Sequence, residues 1–232
     1  MYYSMEKIPT IGQLKQLVAH LQSVIFPDYF PAVAAPAELC LPDAFWDEVP
    51  SIARLVNSDV DAVLHNDPAV TDRGEVILSY PLTYEMIHYR AAHVLYLLRV
   101  PRIPRMLTEL AHARTGIDIH PAAQIGEYFC IDHGTGVVIG ETAIIGAHVV
   151  LYQGVTLGAK NFEYDENGKP MDVPRHPILE DNVTVYSNTS ILGRVTIGHD
   201  TVIGGNVWLT QDVPANSIVL QSNPEIRIKN KI

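Results

Sequence analysis

Apolar residues recur at intervals of three and four along the first half of the chain. Ile11, Leu14, Leu17, Val18, Leu21 and Ile25 follow that spacing, and so do Met86, Tyr89, Arg90, His93 and Leu97 in a stretch of mixed polarity. This is the period of helices that bury one face. Pro27, Pro31, Pro36 and Pro42 interrupt the pattern after the first helix, and Asp43 is a candidate N-cap for the next. Further helices are predicted over 43–65, 83–99 and 103–114. Histidines inside them, such as His88 and His93, read as packing residues.

From Ile119 the period changes to six. An aliphatic residue stands at Ile119, Ile125 and Ile131, then at Ile139, Ile145, Leu151 and Leu157, then at Leu179, Val185, Ile191, Ile197, Ile203 and Leu209. A small or β-branched residue follows four positions later in most hexads, as in Ala143, Val149, Val155 and Val183. Gly126, Gly140, Gly146, Gly158, Gly198 and Gly204 directly follow the aliphatic position, where a tight corner is expected to favour a residue without a Cβ. Six residues supply a short strand and a corner, so three such sides close a triangular coil of about eighteen residues. Successive coils then pair as parallel strands at roughly 4.8 Å, each covering the apolar face of its neighbour. The predicted fold is α+β, with a helical domain over 1–116 and a β-helix over 117–232 that carries a loop at 158–178 and a short tail.

Two steps break the series. Ile131 to Ile139 is eight residues and Leu157 to Leu179 is twenty-two. An insertion in a stacked coil must loop out, and long loops in compact domains are disproportionately functional. The first break holds Asp132, His133, Gly134, Thr135 and Gly136, and the second ends in Arg175 and His176. These two pairs are read as functional. The acidic tip YDENGK is read as a surface excursion.

Composition narrows the setting. A net charge of −10 argues against a general polyanion binder, and two cysteines are too few for a disulfide framework. The opening MYYSMEKIPT lacks the basic start and apolar run of a signal peptide, and no apolar run is long enough to span a bilayer, so a cytoplasmic location is expected.

The segments DIHPAAQIGEYFCIDHGTGVVIGETAIIG (118–146), QGVTLGA (153–159) and RHPIL (175–179) closely resemble bacterial serine O-acetyltransferases. The likeness extends into NDPAV (66–70) and, more loosely, the helix around Tyr89, Arg90 and His93. The resemblance implies a left-handed coil sense, which periodicity does not give and which opposes the usual crossover preference. It implies direct acetyl transfer from acetyl-CoA to L-serine for cysteine biosynthesis, with no metal. His133 would be the general base, a task that suits imidazole because an alcohol is protonated at neutral pH. Asp118 would orient it. Asp132 and Asp67 would meet the substrate ammonium, and Arg175 and His176 its carboxylate. Gly158, Ala159, Ser187 and Gly205 match positions lining a CoA groove, and Arg227, Lys229 and Lys231 could meet phosphate. The family also implies feedback by L-cysteine and a homotrimer or dimer of trimers. The terminal Ile232 raises a further partner, O-acetylserine sulfhydrylase.

Some features depart from the family pattern. The insertion over 161–174, Pro174 ahead of the RHP motif, and QSNPE (221–225) where AGVPA is usual bear on CoA contacts more than on the reaction. Two rivals share the scaffold. An acetyltransferase for sugar hydroxyls would have no use for the Arg175–His176 carboxylate grip. A carbonic-anhydrase-type hydratase needs three converging histidines, and His133 has no near partner. A Cys130 nucleophile would need its own activating base. His112, His120, His148 and His199 read as structural or surface residues.

Overall fold

The computed structural model describes residues 8–222. The helical half comprises α1 (Ile11–Ile25), α2 (Asp43–Asp47), α3 (Val49–Asn66), α4 (Arg73–Ser79), α5 (Pro81–Leu97) and α6 (Ile103–Thr115). Thr10 and Gln13 cap α1 reciprocally, each side chain satisfying the other's backbone N–H. Two expectations change here. The single helix over 43–65 is split at Glu48, where Pro50 sits in the first turn of α3 and has no N–H to continue the ladder. Asp43 is the first residue of α2 rather than its cap, and Pro42 holds the cap position without a side-chain bond. Helix α4 was not foreseen, because seven residues are too few to display a period; Asp72 caps it by accepting from the Glu75 N–H at 3.0 Å.

Three stacks of parallel strands form the β-helix. The first face carries Asp118–Ile119, Val138–Ile139, Thr156–Gly158, Ser190–Leu192 and Trp208–Leu209. The second carries Gln124–Ile125, Ile144–Ile145, Ile178–Leu179 and Thr196–Ile197. On the third are Cys130–Asp132, Val150–Tyr152, Thr184–Val185, Val202–Ile203 and Ile218–Val219. The hexad positions stack in register, Ile119 on Ile139, then Leu157, Ile191 and Leu209, all buried. Both breaks leave this register intact: Ile131 stands in a third-face strand and Ile139 in the next first-face strand, and Leu157 stands in a first-face strand and Leu179 in the next second-face strand.

The reason for the glycines after the aliphatic position differs from the expectation. None of the six is left-handed; the left-handed corners are taken instead by residues such as Asn182, Asn188, Asp200, Asn206 and Asn216. The glycines are needed where the next coil passes close. A Cβ on Gly126 would lie 2.6 Å from the Gly146 carbonyl oxygen.

One apolar core runs through both halves. Its polar fastening is Arg90 on α5, which donates to both carboxylate oxygens of Asp59 on α3, at 3.1 and 2.9 Å, and to the carbonyls of Ile125 and Gly126 on the first coil. Asp59 in turn accepts from the Phe129 N–H at 3.1 Å, and Tyr89 donates to the Ala123 carbonyl at 2.5 Å. With every partner in place this buried pair fixes how the helices sit on the solenoid. His88 and His93 are packing residues, as expected: each ring nitrogen Nδ1 pairs with a carbonyl, of Tyr84 and Pro121 respectively. Among the described residues no helix is long and apolar enough to cross a membrane.

Candidate active site

The candidate residues fall on two different edges of the triangular coil. His133 lies where the third face turns into the first, and Arg175 and His176 lie where the first face turns into the second.

At the first of these edges, His133 adopts a left-handed backbone (φ 57°) and its side chain is 73% exposed. That backbone is the ordinary corner conformation of the coil, shared with Asn188 and Asn206 at the same corner of later turns, so it presents the side chain outward without marking the residue. The two extra residues of this break widen the corner into a loop, which is pinned to the end of the helical half by the Gly136 N–H donating to the Gly116 carbonyl at 2.8 Å. Asp132, at the end of its strand, places Oδ1 4.0 Å from His133 Nε2. The C-terminus of α3, which packs on the same strand, delivers Asp67. Its Oδ1 accepts from the Ala69 N–H at 2.8 Å and its Oδ2 from the Tyr80 hydroxyl at 2.6 Å. These bonds, the Tyr80 one foremost, hold the Asp67 carboxyl below the usual range, while Tyr80 is pushed up to about 12 by the same contact. Asn66, Asp67, Tyr80, Asp132 and Tyr152 line one depression, an anionic recess beside an exposed imidazole.

The second edge is locked rather than open. His176 is 7% exposed, its ring filling space that Gly140 vacates, since a Cβ there would fall 2.0 Å from the imidazole. Thr142 brackets the motif: its hydroxyl accepts from the N–H groups of Arg175 and His176, and its own N–H donates to His176 Nδ1 at 3.1 Å. Nδ1 is therefore the acceptor and Nε2 carries the proton. Burial, assisted by neighbouring Arg175, lowers the His176 pKa to about 4, so the ring is neutral. The Arg175 guanidinium pairs with Glu141. Arg194 donates to the carbonyls of Thr142 and His176, stapling both segments together. The loop before Arg175 is itself ordered by Asp165, whose side chain accepts from the N–H groups of Asn167 and Lys169 in a small hairpin.

The residues singled out for a CoA groove divide in the same way. Gly158 and Ala159 lead off the first face into the Arg175 edge, whereas Ser187 and Gly205 stack on the His133 edge, with a Gly205 Cβ position 3.2 Å from the Ser187 carbonyl oxygen. Asp118 stands near the His133 loop, yet in this structure it faces Arg105 at 3.8 Å, while the only ion pair of His133 among the described residues is with Asp132. Glu109, His112 and Asp118 converge on one spot, but Arg105 already sits among them, 2.5 Å from Glu109. Cys130 is buried and its thiol pushed up to about 12, chiefly by that burial, which removes the thiolate a nucleophile requires. Arg227, Lys229, Lys231 and Ile232 lie outside the described residues.

A family model described as bacterial transferase hexapeptide (six repeats) matches residues 176–211. The plasmid serine acetyltransferase of Synechococcus elongatus is 47% identical over 88% of this chain, which spans only 64% of that relative's length. The serine acetyltransferase of Helicobacter pylori (strain 26695) is 41% identical over 74% of this chain and 96% of its own length. The chain belongs to the serine acetyltransferase family. The crystal structure of Entamoeba histolytica serine acetyltransferase 1 in complex with L-cysteine superposes with a TM-score of 0.80 at 36% identity, covering 89% of this chain and 86% of that one. A serine acetyltransferase structure in complex with CoA aligns at 0.70 and 28% identity, over 89% and 81%.

Within this serine acetyltransferase family member, sequence reasoning missed the residues that hold the motif residues in place. Thr142, Glu141 and Arg194 fix Arg175 and His176, and Tyr80 fixes Asp67. Glu141 and Thr142 stand inside the quoted GET stretch, so a signal existed for them. Tyr80 had none, because its link to Asp67 depends on the unforeseen α4.

Proposed function

We propose that this chain transfers the acetyl group of acetyl-CoA to the hydroxyl of L-serine, giving O-acetylserine. The observation that carries the reading is the split of the site. An exposed imidazole beside two carboxylates occupies one edge and a neutral histidine with a guanidinium the other, complementary to the ammonium and carboxylate ends of one amino acid. Within one chain the two sets do not meet, so the complete site forms between neighbouring copies in a homotrimer, each supplying its His133 edge to the next copy's Arg175 edge. CoA then lies in the groove between copies, along Gly158 and Ala159 of one and Ser187 and Gly205 of the other.

His133 takes the proton from the serine hydroxyl as its oxygen attacks the thioester carbonyl. The tetrahedral intermediate collapses by breaking the C–S bond, and the CoA sulfur receives the proton back from the imidazole. Asp67 and Asp132 hold the ammonium, and Arg175 and His176 Nε2–H hold the carboxylate. Asp118 orients the imidazole from the adjoining first face once the ring turns away from Asp132. L-cysteine, with the same ammonium and carboxylate, competes at this site as a feedback inhibitor.

The test is thiol release from acetyl-CoA with L-serine, beside a sugar acceptor and L-homoserine. Serine-dependent release that collapses in His133→Ala is expected; release with the sugar alone, or release indifferent to His133, contradicts the reading.

A further inference from the structure

Asp67 sits on an exposed turn directly after α3, where a carboxylate is ordinarily free to swing between rotamers and solvent. Here it does not swing. One oxygen is used by the turn itself, in the bond from Ala69, and the other is held by Tyr80, thirteen residues on, which α4 and the start of α5 fold back over the turn. The Tyr80 ring also lines the recess that Asp67, Asp132 and Tyr152 share, so one residue fixes the carboxylate and walls the space in front of it. Each Asp67 oxygen keeps a second lone pair for a ligand.

We propose that Tyr80 is a positioning residue for substrate recognition: its hydroxyl fixes the Asp67 carboxylate so that, with Asp132, it selects acceptors bearing a free primary ammonium. This inference rests on the serine-acetylating reading above and assigns a device within it. Because the tyrosine proton is retained, being pushed up to about 12, the hydroxyl stays a donor and Asp67 stays charged through the working pH range. Losing a hydrogen bond to a charged group weakens serine binding by about tenfold while leaving the chemical step alone.

The experiment compares wild type, Tyr80→Phe, Asp67→Asn and the double variant by thiol release, with serine and acetyl-CoA varied separately. Tyr80→Phe is expected to raise the KM for serine about tenfold, with kcat within about twofold and the acetyl-CoA KM unchanged. In the double variant, Tyr80→Phe should add nothing to the effect of Asp67→Asn. An unchanged serine KM, a parallel loss in kcat and acetyl-CoA KM, or full additivity with Asp67→Asn overturns the proposal. Failure of the underlying reading shows separately, as a wild type without serine-dependent release.

Discussion

The two edges of the same coil solve opposite problems. At the Arg175 edge every group is tied down before any ligand arrives: His176 is buried and neutral against Gly140, Thr142 makes four bonds to the motif, and Arg194 closes it from behind. At the His133 edge the imidazole is largely exposed and touches one carboxylate at the limit of ion-pair distance. Fixed geometry suits the recognition of a planar carboxylate, for which small errors in donor position cost binding. A base that must take a proton and return it needs access instead. On the reading proposed above, the contrast teaches that the solenoid places recognition and chemistry at separate edges, which assembly would join.

Substitutions should separate the edges by size and kind of effect. His133→Ala is expected to lower kcat about a thousandfold with the serine KM little changed, measured by thiol release. Arg175→Ala should act the other way round, raising the serine KM so that kcat/KM falls about a hundredfold, and Arg175→Lys should recover little of it because an ammonium cannot reproduce the fork. Thr142→Val removes the bracket without touching substrate; a rise of about tenfold in serine KM and a loss of about 1–3 kcal/mol in denaturant stability are expected.

The smallest effect on turnover belongs to Glu85, which is fully buried and accepts from Thr115 at 2.9 Å while its other oxygen has no partner among the described residues. Burial raises its pKa from 4.5 to about 8. The folded state therefore binds the proton more tightly than the unfolded one, and the stabilisation is complete below about pH 4.5 and is lost as pH rises toward about 8. Glu85→Gln should melt higher than wild type at pH 8, with the difference closing toward pH 5; equal melting points at both pH values would contradict the assignment.

How much of this was legible follows from the range of each interaction. The hexad period is local, and it gave the solenoid, its register and both breaks, because every coil repeats the same demand on Ile, Leu and Val. The candidate site residues were chosen by likeness, and the structure places Asp67 and Asp132 on one recess next to His133. What stayed hidden depends on contacts between distant segments. The Asp59–Arg90 fastening spans thirty-one residues and Thr142 reaches Arg175 across thirty-three. No periodicity records either. The role of the glycines was misread for a related reason: a corner is a local property, whereas the passage of the next coil over Gly126 is not.

The most direct test of the divided site mixes two inactive proteins. His133→Ala and Arg175→Ala chains, co-expressed with different tags and purified through both, should recover about a third of wild-type activity, because a mixed ring of three holds one site that takes an intact edge from each of two neighbours. No recovery in hybrids that demonstrably contain both chains would mean that the two edges do not act on one substrate, and the account of the site would fail.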